Sequence, residues 1–227
     1  MTQNAWNTPE LTTNGQLLIA QNTGRPAAAV PTAGSANVTI TPGAGSLTIT
    51  TNTNATDWVK ISESTASSSA SISFTGLSST YRVYRIVMSN VQGAVDGGYL
   101  QIRTSTNNGS SYDSGASDYQ WSYLLNGWNG INQNVDTADS IIQVTNSNMG
   151  SGSNEKLAGE IRLYSPSSTT YTFFTWEVFY PDSNSASRYT VMGNGYRQSA
   201  ADVDAIQFIQ SNGNLSTGTF TLYGMTA

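Results

Sequence analysis

Most of the chain consists of short runs in which apolar and polar residues alternate, separated by clusters of Gly, Asn and Ser. Alternation with a period of two is typical of a β-strand that buries one face. The run Thr172–Phe179 is dense in aromatic and β-branched residues and predicts a central strand. No segment keeps the 3.6-residue apolar period of a helix, and at most residues 199–204 form one helical turn. The pattern therefore predicts an all-β protein.

Turn signals divide the chain beyond residue 56 into strands. They are predicted near residues 57–64, 70–75, 82–89, 99–105, 119–125, 141–145, 157–164, 171–180, 189–192, 205–210 and 220–223. Many short strands without crossover helices are typical of an antiparallel β-sandwich, and we expect a jelly-roll-like one. Its expected core comprises Trp58, Ile61, Ile72, Phe74, Val83, Ile86, Val87, Leu100, Ile102, Ile161, Leu163, Phe173, Trp176, Val178, Ile206, Phe208, Phe220 and Leu222.

The first 55 residues follow a different pattern, because their apolar residues fall in brief runs separated by Gly, Pro and Asn-Gly. The segment is too apolar for a disordered tail, yet strands this short cannot offset the entropy of ordering them. We therefore expect residues 1–55 to form a stem that pairs between chains, as a homotrimer, and residues 56–227 to form a separate head domain. The expected oligomer or docking contacts are Leu17, Leu18, Ile19, Val38, Ile40, Leu47 and Ile49.

Composition excludes several classes of function. The chain has no Cys and no His, so it lacks disulfides, thiolate ligands and the commonest general base. Only 10% of its residues are charged and the formal net charge is −5, whereas phosphate-backbone binding needs clustered Lys and Arg. No apolar run approaches membrane-spanning length, and Met1–Asn4 lacks the pattern of a signal peptide. We expect neither a nucleic-acid nor a membrane partner.

Catalysis would depend on the 14 carboxylates, of which Glu160 and Glu177 lie inside predicted strands. Paired carboxylates hydrolyse glycosides when they are correctly spaced across a cleft. A strand carboxylate close to an arginine, as Glu160 is to Arg162, is more often a surface ion pair. We therefore expect no catalytic residues, no cofactor and no enzymatic activity.

Carboxylates in predicted loops are candidate calcium ligands: Asp113, Asp118, Asp136 and Asp139. Their spacing does not match the Asp-x-Asp-x-Asp-Gly pattern of a calcium loop. Turn capping and loop solvation are the favoured interpretation, and no metal site is expected.

Aromatic residues alternate along one predicted strand and continue past a turn: Tyr119, Trp121, Tyr123 and Trp128. Ring faces stack on sugars while nearby amides bind hydroxyls, so Trp121, Tyr123 and Trp128 are candidate glycan contacts. The same stripe is typical of a sandwich core or a subunit interface, and that interpretation is favoured.

Three blocks of the sequence resemble segments that recur in bacteriophage and prophage fibre and virion-surface proteins. They are residues 14–49, including NGQLLI at Asn14–Ile19 and TGRP at Thr23–Pro26; residues 80–105, beginning TYRVYRIVMSNV; and residues 205–224. The resemblance implies a non-enzymatic virion structural protein, commonly trimeric and made in the cytoplasm of a bacterial host. It transfers no catalytic or metal-binding residue. No coiled-coil, collagen-like or repeated shaft is visible, so the chain looks more like a compact projection than a long fibre.

From these observations we expect a capsid decoration or cement protein on the virion surface. Its stem would dock on the major capsid protein and stabilise the shell by burying apolar surface. The alternative is a short tail fibre or tail-associated receptor-binding protein, attached to a tail or baseplate protein, whose head recognises a host glycan. A free carbohydrate-binding module, with or without glycosidase activity, is a third and less favoured hypothesis.

Overall fold

In a computed structural model of the chain, the described residues are four strands before residue 52 and the ranges 58–146, 149–183 and 187–226. Side chains are described at 40–41 and 48–50 and in the later ranges up to residue 225. The chain divides into two compact units, Met1–Ala55 and Thr56–Ala227.

The described residues form sixteen strands and no helix. Their bounds are β1 Leu17–Ile19, β2 Ala27–Ala29, β3 Val38–Gly43, β4 Ser46–Thr51, β5 Trp58–Ser69, β6 Ile72–Thr75, β7 Tyr81–Gly93, β8 Leu100–Ser105, β9 Tyr119–Gly127, β10 Gly130–Asp139, β11 Ile142–Gln143, β12 Leu157–Tyr164, β13 Phe173–Pro181, β14 Arg188–Arg197, β15 Ala205–Gln210 and β16 Leu215–Thr226. In the first unit, β1 pairs with β2 and β3 with β4, both antiparallel.

The second unit is a sandwich of two antiparallel sheets. The larger sheet has the order β10-β9-β14-β13-β12-β7-β16-β5 and the smaller has the order β11-β8-β15-β6. One cluster of buried apolar side chains from both sheets forms the core, in which the rings of Phe208 and Phe220 lie with centroids 5.0 Å apart. A polar contact also joins the sheets, since the backbone N–H of Thr104 donates to the Tyr119 hydroxyl at 2.8 Å. The prediction of an all-β antiparallel sandwich is confirmed.

Each strand predicted from the alternating pattern is present; several are longer than expected, whereas β11 covers only two residues of the predicted 141–145. The pattern missed β10, whose side chains are exposed on both faces apart from two half-buried positions. An edge strand that buries no face has no apolar alternation for the pattern to detect. The available signal is the two-residue connection Trp128-Asn129, between the paired glycines Gly127 and Gly130, which is typical of a hairpin.

The predicted core needs correction where strands are apolar on both faces. Phe173 and Ile61 are exposed, and Trp58, Val83 and Val87 are only half-buried. On β13 the buried side chains are Phe174, Trp176, Val178 and Tyr180. Period-two geometry then sends Phe173, Thr175, Glu177 and Phe179 to the outer face of the larger sheet.

Candidate functional site

The apolar residues predicted to make oligomer or capsid contacts lie in the first unit. In the hairpin β3–β4, Ile40 and Ile49 are cross-strand partners. Ile40 is half-buried, whereas Ile49 is 63% exposed. The neighbours of Ile49 in the chain, Thr48 and Thr50, are exposed too. The other predicted contacts are in described strands, but their side chains lie outside the described residues: Leu17, Leu18, Ile19, Val38 and Leu47. The hairpin therefore carries a large apolar side chain, Ile49, that remains open in the single chain.

Two of the three predicted glycan contacts are buried. The rings of Trp121 and Tyr123 stack on each other in the core with centroids 5.5 Å apart. The indole Nε1 of Trp121 donates to Asp139 at 3.0 Å, and the Tyr123 hydroxyl accepts from the amides of Asn134 and Gln143. The prediction that these two rings contact a glycan is corrected. Their positions on β9 point into the sandwich, where both the apolar rings and their polar tips are satisfied.

Trp128 has a different environment from the other two candidates. It lies in the two-residue turn between β9 and β10 and is 73% exposed. An indole this open is available to a ligand or a partner protein, so the proposed contact at Trp128 stays a prediction.

A groove of about 730 Å³ lies on the outer face of the larger sheet. Of the three predicted glycan contacts, Tyr123 is among its lining residues, whereas Trp121 and Trp128 are not. The groove crosses five adjacent strands, β10, β9, β14, β13 and β12. Because neighbouring strands lie about 4.8 Å apart, the groove is about 19 Å long. We call it the outer groove.

Two rows of outward side chains line the outer groove, and each residue in a row is the cross-strand partner of the next. The first row is Val135, Ser122, Asn194, Thr175 and Arg162. The second row is Gln133, Leu124, Met192, Glu177 and Glu160. Directly opposite side chains in an antiparallel sheet are in contact distance, so each row forms a continuous strip. The first strip is polar at its centre and the second is apolar there.

Glu160 closes one end of the outer groove and is fixed by two arginines. Its Oε2 lies 2.6 Å from Nη2 of Arg85, and its Oε1 lies 2.6 Å from Nη2 of Arg162. The Arg85 guanidinium also lies 5.6 Å from the ring centroid of Trp58, a cation–π distance. Burial lowers the pKa of Arg162, but the hydrogen bond and charge of Glu160 raise it above its ordinary value. The predicted ion pair of Glu160 with Arg162 is confirmed, with Arg85 as a second partner.

Glu177 is the direct cross-strand partner of Glu160, so the fold brings together the two strand carboxylates that the sequence singles out. Their environments differ, because among the described residues no ion pair involves Glu177, and its side chain is exposed. Guanidinium groups occupy both oxygens of Glu160. Glu177 is therefore the one carboxylate of this pair that remains open to a ligand.

Of the four carboxylates predicted to lie in loops, Asp113 and Asp118 do, whereas Asp136 and Asp139 lie in strand β10, so the predicted loop position is wrong for these two. Asp118, Asp136 and Asp139 each accept a hydrogen bond from a backbone N–H one to three residues away. Asp113 instead forms an ion pair with Arg197, whose Nε lies 2.7 Å from Oδ2. In the part of the chain that the structure describes, no three Asp or Glu side chains are grouped to hold a metal ion. Turn capping, the favoured interpretation of these residues, is confirmed for Asp118. Asp139 also accepts from the indole of Trp121 and so holds a core side chain.

The predicted strand 189–192 included Met192 but ended before Asn194, and the pattern did not identify either residue as part of a groove. The signal that was available is Gly193 between them. A Cβ at this position would lie 2.2 Å from Cζ2 of Trp176, so the indole occupies the space on the inner side of the strand. Since Gly193 faces inward, its two neighbours face the outer groove.

Among the described residues, no helix has the length and hydropathy needed to cross a membrane. No protein-family model matches the chain, and no curated protein or solved structure is detectably similar to it.

Proposed function

We propose that the chain is a non-enzymatic structural protein of a bacteriophage virion surface, a trimeric capsid decoration or cement protein that docks through residues 1–55. The observation that carries the proposal is the contrast between the two units. The sandwich encloses its own core, whereas the hairpin β3–β4 leaves Ile49 open. An isolated two-stranded hairpin is marginal in water, so covering Ile49 with another chain would stabilise it. The resemblance of residues 14–49 to virion-surface proteins supports the same assignment.

The mechanism in this proposal is mechanical. Apolar stem surface buried against the major capsid protein contributes about 25 cal/mol per Å² before the entropic cost of association is subtracted. Three stems joined in one trimer add avidity, because docking the first raises the effective concentration of the others. The sandwich, with a surface poor in charge and rich in hydroxyl groups, would face solvent.

The jelly-roll assignment of the head belongs to this proposal, and the strand order supports it. Eight strands are relevant, taken in chain order: β5, β6, β7, β8, β11, β12, β15 and β16. The first, eighth, third and sixth are neighbours in the larger sheet, and the second, seventh, fourth and fifth make up the smaller sheet. This interleaving is what two Greek keys produce when they wind into a sandwich. The remaining strands β13, β14, β9 and β10 extend the larger sheet at one edge.

A test of self-association uses the full chain and one matched pair of variants. Light scattering coupled to size exclusion is expected to give three times the 24.1 kDa chain mass. Ile49→Asp places a charge on the open apolar position and is expected to shift the protein toward monomer. Thr50→Asp, at the adjacent exposed residue, is expected to leave the mass unchanged. A monomeric wild-type protein, or equal effects of both variants, would contradict the proposed trimer.

A test of location uses phage particles that carry an affinity tag on this chain. Gold labelling viewed by negative-stain electron microscopy is expected to show many copies over the head. Labelling confined to the tail would exclude the decoration role and favour the tail-fibre alternative. Hydrolysis of a polysaccharide by the purified wild-type chain, lost in Glu177→Gln, would contradict the non-enzymatic assignment.

One observation favours the alternative of a tail-associated receptor-binding protein, namely the open indole of Trp128 at a hairpin tip. Under that alternative, Trp128→Ala would abolish binding of the purified protein to host cells. Under the decoration role, the same variant would still bind to capsids like the wild type.

A further inference from the structure

We propose that the outer groove is a binding site for a neutral oligosaccharide, with Glu177 and Asn194 as its central polar contacts. The site lies entirely in the second unit and is distinct from the stem contacts. The inference goes beyond the proposed virion role and does not depend on how residues 1–55 attach. It also differs from the glycan contacts suggested by the sequence, two of which are buried.

The shape of the groove follows from side-chain size. Ser122, Asn194 and Thr175 are cross-strand neighbours on β9, β14 and β13, and they form a low floor. At one flank, Phe173 precedes Thr175 by two residues on the same face of β13, about 7 Å away. Its ring packs against Tyr196, with centroids 5.9 Å apart, and half of Phe173 stays exposed. A low polar floor beside the half-exposed ring of Phe173 fits a flat ligand that has both apolar faces and polar edges.

The polar groups of the groove match hydroxyl groups. The Ser122 hydroxyl and the amide oxygen of Asn194 lie 3.4 Å apart, so the Asn194 Nδ2 group remains to donate. Glu177 offers two acceptor oxygens, enough for both hydroxyls of a vicinal diol, and Gln133 at the far end can both donate and accept. Hydroxyls that donate and accept at adjacent carbons fit this mixture, whereas a ligand that only accepts would leave Glu177 unsatisfied.

The apolar groups of the groove lie beside these polar ones. Leu124 and Met192 are cross-strand partners in the second row, and both are exposed large side chains. Their positions adjoin the polar floor, so a ligand spanning both rows would meet apolar and polar surface side by side. A pyranose also presents apolar C–H faces beside polar hydroxyl edges, so its surface matches these adjoining rows.

Other occupants fit less well. The one cationic side chain among the described residues that line the outer groove is Arg162, and it forms an ion pair with Glu160. An anionic oligosaccharide would therefore find no unpaired positive charge among these described residues. A peptide would present backbone N–H and C=O groups to a floor whose own backbone is already paired in the ladder. A second copy of the same sheet would place one concave polar floor against another and enclose water rather than pack.

The test is a binding screen with the full-length protein. An array of neutral hexose and N-acetylhexosamine oligosaccharides, with sulfated and sialylated counterparts, identifies binders, and titration calorimetry of the best neutral one gives its Kd. We expect Glu177→Gln and Asn194→Ala each to weaken binding about tenfold, the effect of losing one strong hydrogen bond. Phe173→Ala is expected to weaken it by a similar factor through lost stacking. Thermal melts of each variant check that the fold is intact.

Two variants serve as controls for the groove. Glu63→Gln makes the same change on the same face, but on the far strand β5, and is expected to leave Kd within about twofold. Trp128→Ala tests the hairpin tip and is likewise expected to leave Kd unchanged.

The proposal is overturned if no neutral oligosaccharide binds at millimolar concentration, if only the anionic ones bind, or if Trp128→Ala abolishes binding while the groove variants retain it. A change of oligomeric mass in Glu177→Gln would instead identify a second copy as the occupant. Each of these results leaves the virion role to be judged by its own experiments.

Discussion

The inner and outer faces of the larger sheet contain similar residue types in very different environments. Adjacent residues of β13 make the comparison directly: Phe174 is 1% exposed, whereas Phe173 is 51% exposed. The inner face meets the second sheet and is dry. The outer face carries Leu124, Met192 and aromatic rings beside ion pairs and amides. Hydrophobicity of a side chain therefore does not by itself identify the core of this protein.

What separates the two faces is the position of the charged residues. Glu160, Glu177 and Arg162 all occupy the outer face, because a charge placed between the sheets would lack water and partners. Because side chains alternate between the two faces of a strand, the aromatic residues at even spacing from Glu177 on β13, Phe173 and Phe179, face outward with it. The outer groove lies on that face.

The largest expected effect compares the two adjacent phenylalanines. Phe174→Ala removes a fully buried ring and is expected to lower the free energy of unfolding by about 3–5 kcal/mol. Phe173→Ala removes a half-exposed ring and is expected to cost less than about 1 kcal/mol. Urea denaturation of both variants measures the difference. Equal costs would mean that the assignment of inner and outer faces is wrong.

Measurements at alkaline pH test whether the inner face excludes water, because the ionisation of Tyr119 depends on its burial there. Burial raises the pKa of Tyr119 to about 12, from an ordinary value near 10. The neutral form of Tyr119 therefore contributes about 3 kcal/mol to the free energy of unfolding below about pH 10, and this contribution is lost as the pH rises through about 12. Burial also raises the pKa values of Tyr123 and Tyr180, so their contributions have the same sign.

Melting temperatures measured from pH 8 to 12 should therefore fall above about pH 10. The part of the tyrosinate absorbance that belongs to Tyr119, obtained as the difference between the wild type and Tyr119→Phe, should rise together with unfolding rather than before it. Ionisation of Tyr119 near its ordinary pKa without unfolding would contradict a dry inner face.

A smaller effect comes from the close approach of Trp176 to β14. Gly193→Ala adds a Cβ about where the indole ring lies and is expected to cost about 1–3 kcal/mol through overpacking. Asn194→Ala, at the next residue but on the outer face, is expected to change stability by less than about 0.5 kcal/mol. Thermal denaturation of the two variants provides the comparison. A tolerated Gly193→Ala would show that Trp176 is not confined.

The smallest effect compares the two glutamates of the outer groove. Glu160→Gln leaves Arg85 and Arg162, which are cross-strand partners, without the charge between them, and is expected to cost about 1 kcal/mol. Glu177→Gln removes a like charge opposite Glu160 and is expected to be neutral within about 0.5 kcal/mol or slightly stabilising. The difference should shrink at high salt. A larger loss in Glu177→Gln would indicate an interaction of Glu177 with the fold.

Much of the fold could be predicted from local patterns. Polar–apolar alternation predicted strands such as β6 and β15, where one face is clearly apolar, and the central position of β13. It failed for β10, which buries neither face, and for Phe173, where both faces of the strand are apolar. Glu177 on β13 carried the missing information, since a charged residue marks the face that water reaches.

The candidate site was predictable only in part. The sequence identified Glu160 and Glu177 as strand carboxylates and paired Glu160 with Arg162. It could not place Asn194 or Met192 beside them, because these residues come from a strand more than ten positions further along the chain. Lateral order within a sheet depends on which strands pair, and pairing between distant segments leaves no local signature.

The sequence by itself determined the all-β class, the absence of Cys and His chemistry, and the change of character near residue 56. These properties depend on composition and on neighbours a few residues apart. Only the tertiary structure decided that Trp121 and Tyr123 are buried, that two glutamates face each other, and that five strands align into a groove. The physical reason is that a strand offers two faces and two edges, and only long-range pairing and packing select which of them meets water.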